Sequence, residues 1–287
     1  MTSGPVQVTG RVLSLKRAGA YHHLTLVAEG VAERTHPGQF VALAVGDRNS
    51  PMLLRRAFSI YRARPSGAYG GSVEVVFAVH GAGTAWLSQL RQHDEVDVVG
   101  PLGHPFALPK QPVSCVLVGG GYGSAPLFGL ADRLKERGCA VHMVLGAATG
   151  DRLFGALEAK RSARSVTVTT DDGSVGIEGL VTDPLPDLLG RTGSEVIYAC
   201  GPMAMLRAVS AVSAEYGVWS QCAVEESMAC GIGVCMTCVL PVVGDDGILR
   251  LTRSCVEGPV FGGDRVLWDA VGTVPEGTWG APAGAGH

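Results

Sequence analysis

The chain has 287 residues, of which 46% are apolar and 17% charged, and its formal net charge is −3. The apolar content is too high for a disordered chain, and the length fits two or three packed units. No run of Lys or Arg marks a nucleic-acid surface, and no apolar stretch approaches the 18 residues that a membrane span needs. The sequence therefore predicts a globular protein with neither nucleic acid nor a membrane as partner.

The N-terminal stretch from Met1 to Leu15 alternates polar and apolar residues and lacks the layout of a secretion signal. We therefore expect a cytoplasmic protein. Because the cytoplasm keeps thiols reduced, the eight cysteines indicate a metal site or buried thiols rather than disulfides.

The first 100 residues contain six short segments with strand-like character, separated by turn sequences. These segments are 6–12, 23–27, 39–45, 57–61, 73–79 and 95–99. Short strands at this spacing are typical of an antiparallel barrel. One helix is predicted to interrupt them near residues 84–92, and we assign residues 1–108 to this first domain.

Beyond the barrel, apolar strands alternate with helices. The predicted strands are 114–118, 140–145, 165–169 and 195–199, and the predicted helices cover about 125–137, 151–160 and 202–215. This alternation predicts a parallel sheet that is covered on both faces. We assign residues 112–221 to this α/β domain and expect a linker over 108–112.

The C-terminal part of the chain becomes rich in cysteine and loop-like after about residue 222. We assign residues 222–265 to a small third domain. Residues 272–287 are rich in Gly, Ala and Pro without a period, and this composition predicts a disordered tail.

Four cysteines of the third domain carry the strongest signal. They are Cys230, Cys235, Cys238 and Cys255. The first three have the spacing C-x4-C-x2-C, and sixteen residues separate the third from the fourth. This is the plant-type spacing for a [2Fe–2S] cluster. Gly231 and Gly233 allow the loop positive φ angles that direct N–H groups at the sulfurs. A structural zinc site is the alternative, although zinc sites usually show two CxxC pairs.

Two arginines precede a predicted barrel strand that carries Phe58 and Ser59. In this position the Arg56 guanidinium can pair with a phosphate, and the Ser59 hydroxyl can hydrogen-bond a ring nitrogen of the same ligand. Gly83 and Thr84 open the predicted helix, whose N–H groups favour an anion. These features predict a phosphate-bearing cofactor on the barrel, and an ordinary surface arginine pair is the alternative.

Three turns follow strands at the carboxyl edge of the predicted parallel sheet, where open α/β sheets bind ligands. Gly119–Gly123 follows one strand and opens a helix, which is the context of a nucleotide phosphate site. Its spacing is not GxGxxG, and a simple βα turn is the alternative. Cys200–Pro202 ends a second strand. Asp171–Gly173 ends a third and fits either a ligand contact or a solvated turn.

A barrel followed by a nucleotide domain resembles the ferredoxin–NADP reductase superfamily, and the cysteine segment narrows the resemblance. The segments that carry it are Arg56–Ser59, Gly100–Gly103, Gly119–Gly123, Thr170–Ser174, Cys200–Pro202, Cys230–Cys235 and Arg253–Phe261. Over about residues 5–265 the chain resembles the electron transfer subunits of class 1B dihydroorotate dehydrogenases. The resemblance implies an antiparallel flavin-binding barrel, a parallel-sheet nucleotide domain and a small C-terminal [2Fe–2S] domain.

The resemblance also implies three cofactors, FAD, NAD(H) and the [2Fe–2S] cluster. For FAD it implies Arg56, Ala57, Phe58, Ser59, Val76, Phe77, Ala78, Gly83 and Thr84. For NAD(H) we expect Gly119, Gly120, Gly121, Gly123, Cys200, Gly201 and Pro202. The family usually has Pro at the position of Ala57 and Arg at that of Ala78, and the gap before Cys255 is long for the family.

The implied activity is electron transfer between NAD(H), FAD, the cluster and the FMN of a separate catalytic subunit, within a heterotetramer of pyrimidine biosynthesis. No catalytic acid or base for dihydroorotate is identified in this chain. One alternative is the reductase subunit of a ferredoxin:NADP transhydrogenase or a sulfhydrogenase. Another is a non-redox regulatory protein with structural zinc. The stretch 146–152, where a ribose selector is expected, has one Asp and one Arg, so its residues fit NADH and NADPH alike, and only the resemblance favours NADH.

Apolar residues next to the expected cluster ligands suggest a surface for a partner protein. These residues are Met228, Ile232, Val234 and Met236. An exposed apolar patch of this kind marks an interface. The alternative is that they pack beneath the cluster.

Overall fold

A closed barrel of six antiparallel strands forms the N-terminal part of the computed structural model, which describes residues 4–47 and 50–281. Its strands are β1 (Val6–Ala18), β2 (Tyr21–Val27), β3 (Phe40–Leu43), β4 (Arg56–Arg64), β5 (Ser72–Phe77) and β6 (Glu95–Leu102). They follow each other around the barrel in the order β1-β2-β5-β4-β3-β6. The predicted antiparallel barrel is confirmed.

The barrel core follows from the period of two in its strands, which turns every second side chain inward. Leu24, Leu26, Val73 and Val75 of β2 and β5 are fully buried there. The single helix of this part, α1 (Ala82–Leu87), is shorter than the predicted 84–92. It ends early because the chain turns toward β6, where the Asp94 carboxylate accepts the Arg91 N–H at 2.7 Å.

A seven-stranded sheet forms the second part of the fold. The strands that follow the barrel are β7 (Ser114–Gly120), β8 (Ala140–Ala147), β9 (Ser165–Thr170), β10 (Ile177–Glu178), β11 (Val196–Cys200), β12 (Trp219–Ala223), β13 (Val239–Val243), β14 (Leu249–Arg253) and β15 (Val260–Gly262). The sheet order is β10-β9-β8-β7-β11-β12-β15. All neighbours pair in parallel except β15, which is antiparallel to β12. The predicted parallel sheet is confirmed.

Helices cover both faces of this sheet. They are α2 (Ala125–Glu136), α3 (Ala156–Ser162), α4 (Leu185–Thr192) and α5 (Met203–Glu215). The sequence did not indicate α4, because Pro186 and Gly190 interrupt its helical pattern. Tertiary burial of Leu185 and Leu188 stabilises it instead. Within the described ranges, no helix is both long and apolar enough to cross a lipid bilayer.

The barrel and the sheet share one packed interface. Leu127 and Phe128 of α2 lie in the same buried cluster as Tyr61 of β4. Arg62 of the barrel forms ion pairs with Asp132 of α2 and Glu158 of α3. This interface fixes the orientation of the barrel relative to the carboxyl edge of the sheet.

The cysteine-rich segment is an insertion between β12 and β15, so the predicted domain start at residue 222 falls inside a strand of the sheet. The segment is not wholly loop-like, since β13 and β14 form an antiparallel hairpin. Residues 244–247 form the turn of this hairpin. Leu240 and Val242 of β13 are buried against the α/β core, which gives the hairpin its apolar face.

The last described residues pack against this hairpin. The N–H of Trp279 donates to the Leu249 carbonyl at 2.8 Å, and the Arg250 guanidinium lies 6.0 Å from the centre of the Trp279 ring. Thr278 is buried. Over residues 272–281 these contacts stand against the predicted disordered tail, although the Trp279 ring itself is 70% exposed. Residues 282–287 of that prediction lie outside the described residues.

Candidate functional site: two cavities and a cysteine loop

A cavity of about 250 Å³ lies between the barrel, the start of α2 and the entry to the cysteine-rich segment. Seven of the nine residues expected for FAD line it: Ala57, Phe58, Ser59, Val76, Phe77, Ala78 and Thr84. Side chains that the sequence did not assign to FAD line it as well, among them Phe40, His80, Tyr122, Glu225, Glu226 and Met228. Apolar walls with a few polar groups suit a planar aromatic ring such as that of a flavin.

The two adjacent arginines of the barrel have different environments. Arg55 forms an ion pair with Asp97 at 2.9 Å and thereby ties β4 to β6. The Arg56 guanidinium lies against Gly83, where a Cβ atom would stand 2.8 Å from its Nε. Gly83 is next to Thr84, which lines the cavity. The structure thus brings Arg56 together with Gly83 and Thr84, as the sequence indicated. A guanidinium beside this helix start is suited to bind a diphosphate.

A second cavity of about 440 Å³ lies at the carboxyl edge of the parallel sheet. Of the seven residues expected for NAD(H), Gly120, Gly121 and Pro202 line it. Gly123 lines the first cavity instead. The remaining three, Gly119, Cys200 and Gly201, are absent from both linings. A groove at this edge fits a dinucleotide.

Close backbone packing explains the glycines behind this groove. A Cβ on Gly123 would lie 2.7 Å from the Cα of Gly201, so the turns after β7 and β11 touch. A Cβ on Gly119 would lie 2.4 Å from the Cβ of Ser124, at the entry to α2. Cys200 is 1% exposed, and burial raises the pKa of its thiol well above the ordinary value. These residues shape the floor of the cavity without forming its surface.

Tyr122 and Glu225 line both cavities. The Glu225 carboxyl is open to them, but protein atoms surround it on its other sides, and this burial raises its pKa to about 7. Burial first and the Glu225 charge second raise the pKa of Tyr122. Sequence reasoning passed over Glu225 because a lone acid forms no motif. Its position just after a buried strand, at the carboxyl edge, was the available signal.

The cysteine loop is built from backbone conformations that glycine favours. Gly231 and Gly233 have φ angles of 70° and 83°, as the sequence predicted. The loop directs three backbone N–H groups at the Cys230 sulfur, over distances of 3.3–3.5 Å. These donors are Ile232, Val234 and Cys235. Such donors stabilise negative charge on a thiolate or a cluster.

The four expected ligands meet in two pairs. Hydrogen bonds from Thr237 and then from Cys230 lower the pKa of Cys235 to about 6. Burial, followed by a hydrogen bond with Cys238, raises the pKa of Cys255 to about 12. Within the described residues, no three ligand side chains converge on one point that could hold a single metal ion. Two pairs of cysteines fit a cluster in which each of two irons takes two cysteine ligands.

The inner pair of cysteines packs directly on the first cavity. Cys238 and Cys255 are 2% and 3% exposed and share a buried cluster with Phe40. Ala57 and Met228 pack against the same cluster. Because Phe40, Ala57 and Met228 also line the cavity, only one layer of side chains separates the cavity from the cysteine pair.

Arg253 fastens the loop to the hairpin. Its Nη1 donates to the Gly233 carbonyl at 3.0 Å, and its Nη2 forms an ion pair with Glu257 at 2.6 Å. Arg253 is the last residue of β14, two positions before Cys255. Arg253 belongs to a segment that carries the family resemblance, but no sequence pattern indicated this contact with the loop.

Comparison with known proteins decides the family. A protein of Geobacillus thermodenitrificans named dihydroorotate dehydrogenase B (NAD(+)), electron transfer subunit, is 39% identical over 249 residues, which are 86% of this chain and 92% of that one. Its namesake in Desulforamulus reducens is 34% identical over 249 residues, which are 86% and 93% of the two chains. The chain belongs to this family of electron transfer subunits.

The family models agree with this membership. The iron–sulfur cluster binding domain of dihydroorotate dehydrogenase B matches residues 225–267, which include all four cysteines. The oxidoreductase NAD-binding domain matches residues 117–211. As an electron transfer subunit of this family, the chain is an oxidoreductase component with FAD, NAD and iron–sulfur cofactors, as the resemblance implied.

Solved structures support the same fold. The structure of an NADH-dependent reduced ferredoxin-NADP oxidoreductase has a TM-score of 0.78 and 30% identity to this chain, covering 92% of this chain and 91% of its own. A ferredoxin NADP⁺ reductase of Neisseria gonorrhoeae with bound FAD and NADP has a TM-score of 0.58 and 15% identity, covering 74% and 92%. The second likeness concerns the fold alone.

Proposed function

We propose that this chain carries electrons between NAD(H), FAD, a [2Fe–2S] cluster and the FMN of a dihydroorotate dehydrogenase catalytic subunit. Family membership supports the activity. One structural observation supports the path of the electrons between the three sites. The two cavities share Tyr122 and Glu225, and the first cavity shares Met228 with the packing around the inner cysteine pair. The three sites are therefore contiguous in the order that such a transfer needs.

In this proposal the barrel, residues 1–108, holds FAD, and residues 112–221 hold NAD(H). The segment 222–265 holds the cluster through the four cysteines. Bound FAD would supply a two-electron acceptor that releases electrons singly, and the cluster would take them one at a time. Ala57, Phe58, Val76 and Phe77 provide the flat apolar wall, and Arg56 with Gly83 and Thr84 serves the diphosphate.

The docking surface for the catalytic subunit is proposed at the outer side of the cysteine loop. Ile232, Val234 and Met236 are 54%, 75% and 52% exposed, and they flank the exposed Cys235. Apolar side chains exposed together beside an electron exit suit a protein partner. Met228 does not belong to this surface, because it packs against the inner cysteines. We place the resulting complex, a heterotetramer with two catalytic subunits, in the cytoplasm, where the eight free cysteines stay reduced.

A second candidate has one observation in its favour. The solved structure at 30% identity is of an enzyme named for NADH, ferredoxin and NADP, which matches the transhydrogenase alternative. The relatives at 34–39% identity favour the dihydroorotate partner. The zinc alternative is not favoured, because the iron–sulfur cluster binding domain matches residues 225–267.

One set of assays tests the proposal. The holoprotein is expected to be red-brown, to contain iron and sulfide, and to reduce artificial dyes with NADH. Alone it should not oxidise dihydroorotate. Addition of an FMN-bearing catalytic subunit should couple dihydroorotate oxidation to NAD⁺ reduction and give a larger species in size-exclusion chromatography. If the chain does not bind the catalytic subunit but rapidly reduces ferredoxin, the second candidate function is correct instead.

A further inference from the structure

Ser254, next to one of the four cysteines, carries a buried hydroxyl group that the polypeptide does not satisfy. The residue is 0% exposed. Among the residues that the structure describes, none forms a hydrogen bond with its Oγ. Ser254 lines neither of the two cavities. A buried hydroxyl without a partner costs free energy and is rare in folded chains, so this one indicates an acceptor that the polypeptide itself does not supply.

The hairpin places Ser254 beside the inner pair of cysteines. Its N–H donates to the Cys238 carbonyl at 2.8 Å, and the neighbouring residues Val239 and Arg253 pair in the register of β13 and β14. Ser254 and Cys238 are therefore opposite each other. Opposed residues of an antiparallel pair have their side chains on the same face, with Cβ atoms about 4.5–5.5 Å apart. Cys255 follows Ser254 directly in the chain.

The thiols of the inner pair do not satisfy this hydroxyl. Cys238 and Cys255 hydrogen-bond to each other, and within the described part of the chain the Ser254 hydroxyl has no sulfur partner either. A cluster held by these ligands would add inorganic sulfide and ionised thiolate sulfur, and hydrogen bonds to such sulfurs are one of the factors that set the potential of a cluster. The chemistry of the bound group therefore fits the unsatisfied donor.

The two pairs of cysteines differ in their surroundings. At the outer pair, three backbone N–H groups lie 3.3–3.5 Å from the Cys230 sulfur, and Cys235 is exposed. The inner cysteines, Cys238 and Cys255, are only 2% and 3% exposed. Water screens a dipole less in such a buried place, so one hydroxyl has a larger electrostatic effect at the inner pair than it would have at the surface.

We propose that the Ser254 hydroxyl donates a hydrogen bond to a sulfur of the bound cluster, on the side of its inner ligands, and thereby raises the reduction potential of the cluster. This inference rests on the proposed assignment of the four cysteines as ligands. Reduction adds negative charge to the cluster, so a donor stabilises the reduced form more than the oxidised form. Ser254 thus makes the cluster a better acceptor of electrons from the flavin.

The test measures the reduction potential of the cluster in the holoprotein, by EPR during a redox titration, for wild type and for Ser254→Ala. We expect the variant to be about tenfold harder to reduce, which is about 59 mV for a one-electron couple. Thr252→Val is the matched control. Thr252 precedes Ser254 by two positions and is opposite Leu240 instead of a ligand. Its variant should keep the wild-type potential.

Two further measurements separate a hydrogen bond to the cluster from a structural role of the residue. Iron and sulfide content should be the same in Ser254→Ala as in wild type, because Ser254 is not a ligand. In resonance Raman spectra, the Fe–S stretching bands should shift less on transfer to D₂O in Ser254→Ala than in wild type, because one exchangeable proton on sulfur is missing. The Thr252→Val control should show the wild-type shift.

The outcomes that contradict the inference differ from those that contradict the proposed function. An unchanged potential in Ser254→Ala separates the hydroxyl from the cluster and leaves the proposed function intact. An equal fall in potential in Thr252→Val assigns the effect to the hairpin as a whole. Loss of iron and sulfide from Ser254→Ala gives Ser254 a structural role instead. A wild-type chain without iron and sulfide overturns the proposed function and, with it, this inference.

Discussion

Tyr122 and Glu225 belong to the wall of both cavities, and the Glu225 charge helps to raise the pKa of Tyr122. One residue comes from the turn after β7 and the other from the end of β12, so the strand order of the sheet creates this junction. A nicotinamide and a flavin ring that occupied the two cavities would meet there. The ionisation state of Glu225 is therefore part of the electrostatics of the transfer.

Glu225→Gln is expected to remove a pH dependence near neutrality. Burial raises the pKa of Glu225 from 4.5 to about 7, so the folded chain binds an extra proton between these pH values. Its contribution to the free energy of unfolding therefore falls as the pH rises through that window. Thermal unfolding should show the Gln variant gaining stability relative to wild type between pH 5 and pH 8. The neighbouring Glu226→Gln, which lines only the first cavity, is the control.

The same substitution should change the kinetics. In the wild-type holoprotein, the rate of flavin reduction by NADH is expected to show an inflection at pH 7 or above, because bound cofactors bury the carboxyl further. Stopped-flow absorbance across pH 6–9 measures this rate. A Gln variant that retains the inflection would show that another group controls it.

Cluster content should depend on the four cysteines. Replacement of Cys230, Cys235, Cys238 or Cys255 by Ser should each lower iron and sulfide and weaken the EPR signal of the reduced protein, because each iron of the cluster needs both of its cysteine ligands. Cys139→Ala, at a buried cysteine of the α/β core, controls for general destabilisation. Full clusters in all four variants would refute the assignment.

Arg56→Ala should weaken FAD binding without loss of the cluster. Removal of a charge-assisted bond to a diphosphate costs about 1.5–3 kcal/mol, or about ten- to hundredfold in Kd. Flavin fluorescence during titration of the apoflavoprotein measures the change. Arg55→Ala is the matched control, since Arg55 is held by Asp97, and its Kd should stay near the wild-type value. The opposite ranking would make Arg55 the phosphate ligand.

Val234→Asp should uncouple the chain from its partner. A charge at the most exposed apolar position of the cysteine loop disfavours an apolar interface. Dye reduction by NADH should stay within twofold of wild type, while coupled dihydroorotate oxidation falls at least tenfold. The control is Val175→Asp, an exposed valine of the α/β domain. If the coupled rate survives in Val234→Asp, the docking surface lies elsewhere.

Arg253→Ala should shorten the lifetime of the cluster. The variant loses the bond from Arg253 to the Gly233 carbonyl, which holds the loop against the hairpin. We expect about tenfold faster bleaching of the cluster absorbance under a chelator, which corresponds to about 1.4 kcal/mol. Arg250→Ala, on the same strand but paired with Asp246, should bleach at the wild-type rate. Equal rates in both variants would exclude this role of Arg253.

The sequence predicted well the parts of the molecule that local patterns encode. Alternation predicted the barrel, the βα pattern predicted the parallel sheet, and the spacing of the four cysteines indicated the cluster loop. Glu225 and the loop-holding role of Arg253 were not predicted, because both depend on contacts between segments distant in the sequence. Helix α4 and the contacts of residues 272–281 with the hairpin were not predicted for a related reason. Burial of Leu185 and the contacts of Trp279 depend on the tertiary structure and not on the local composition.

The cysteine segment leaves the sheet at β12 and returns at β15, and the two ends are already joined across the sheet. Ala223 is paired with Val260, and the Val224 N–H donates to the Pro259 carbonyl at 2.9 Å. The segment can thus be treated as a cassette: its excision would leave ends that a short hairpin turn connects. What remains would keep the barrel and the parallel sheet but would lose Glu225, Glu226 and Met228 from the wall of the first cavity. The segment that carries the cysteines is therefore also a structural part of the neighbouring cavity.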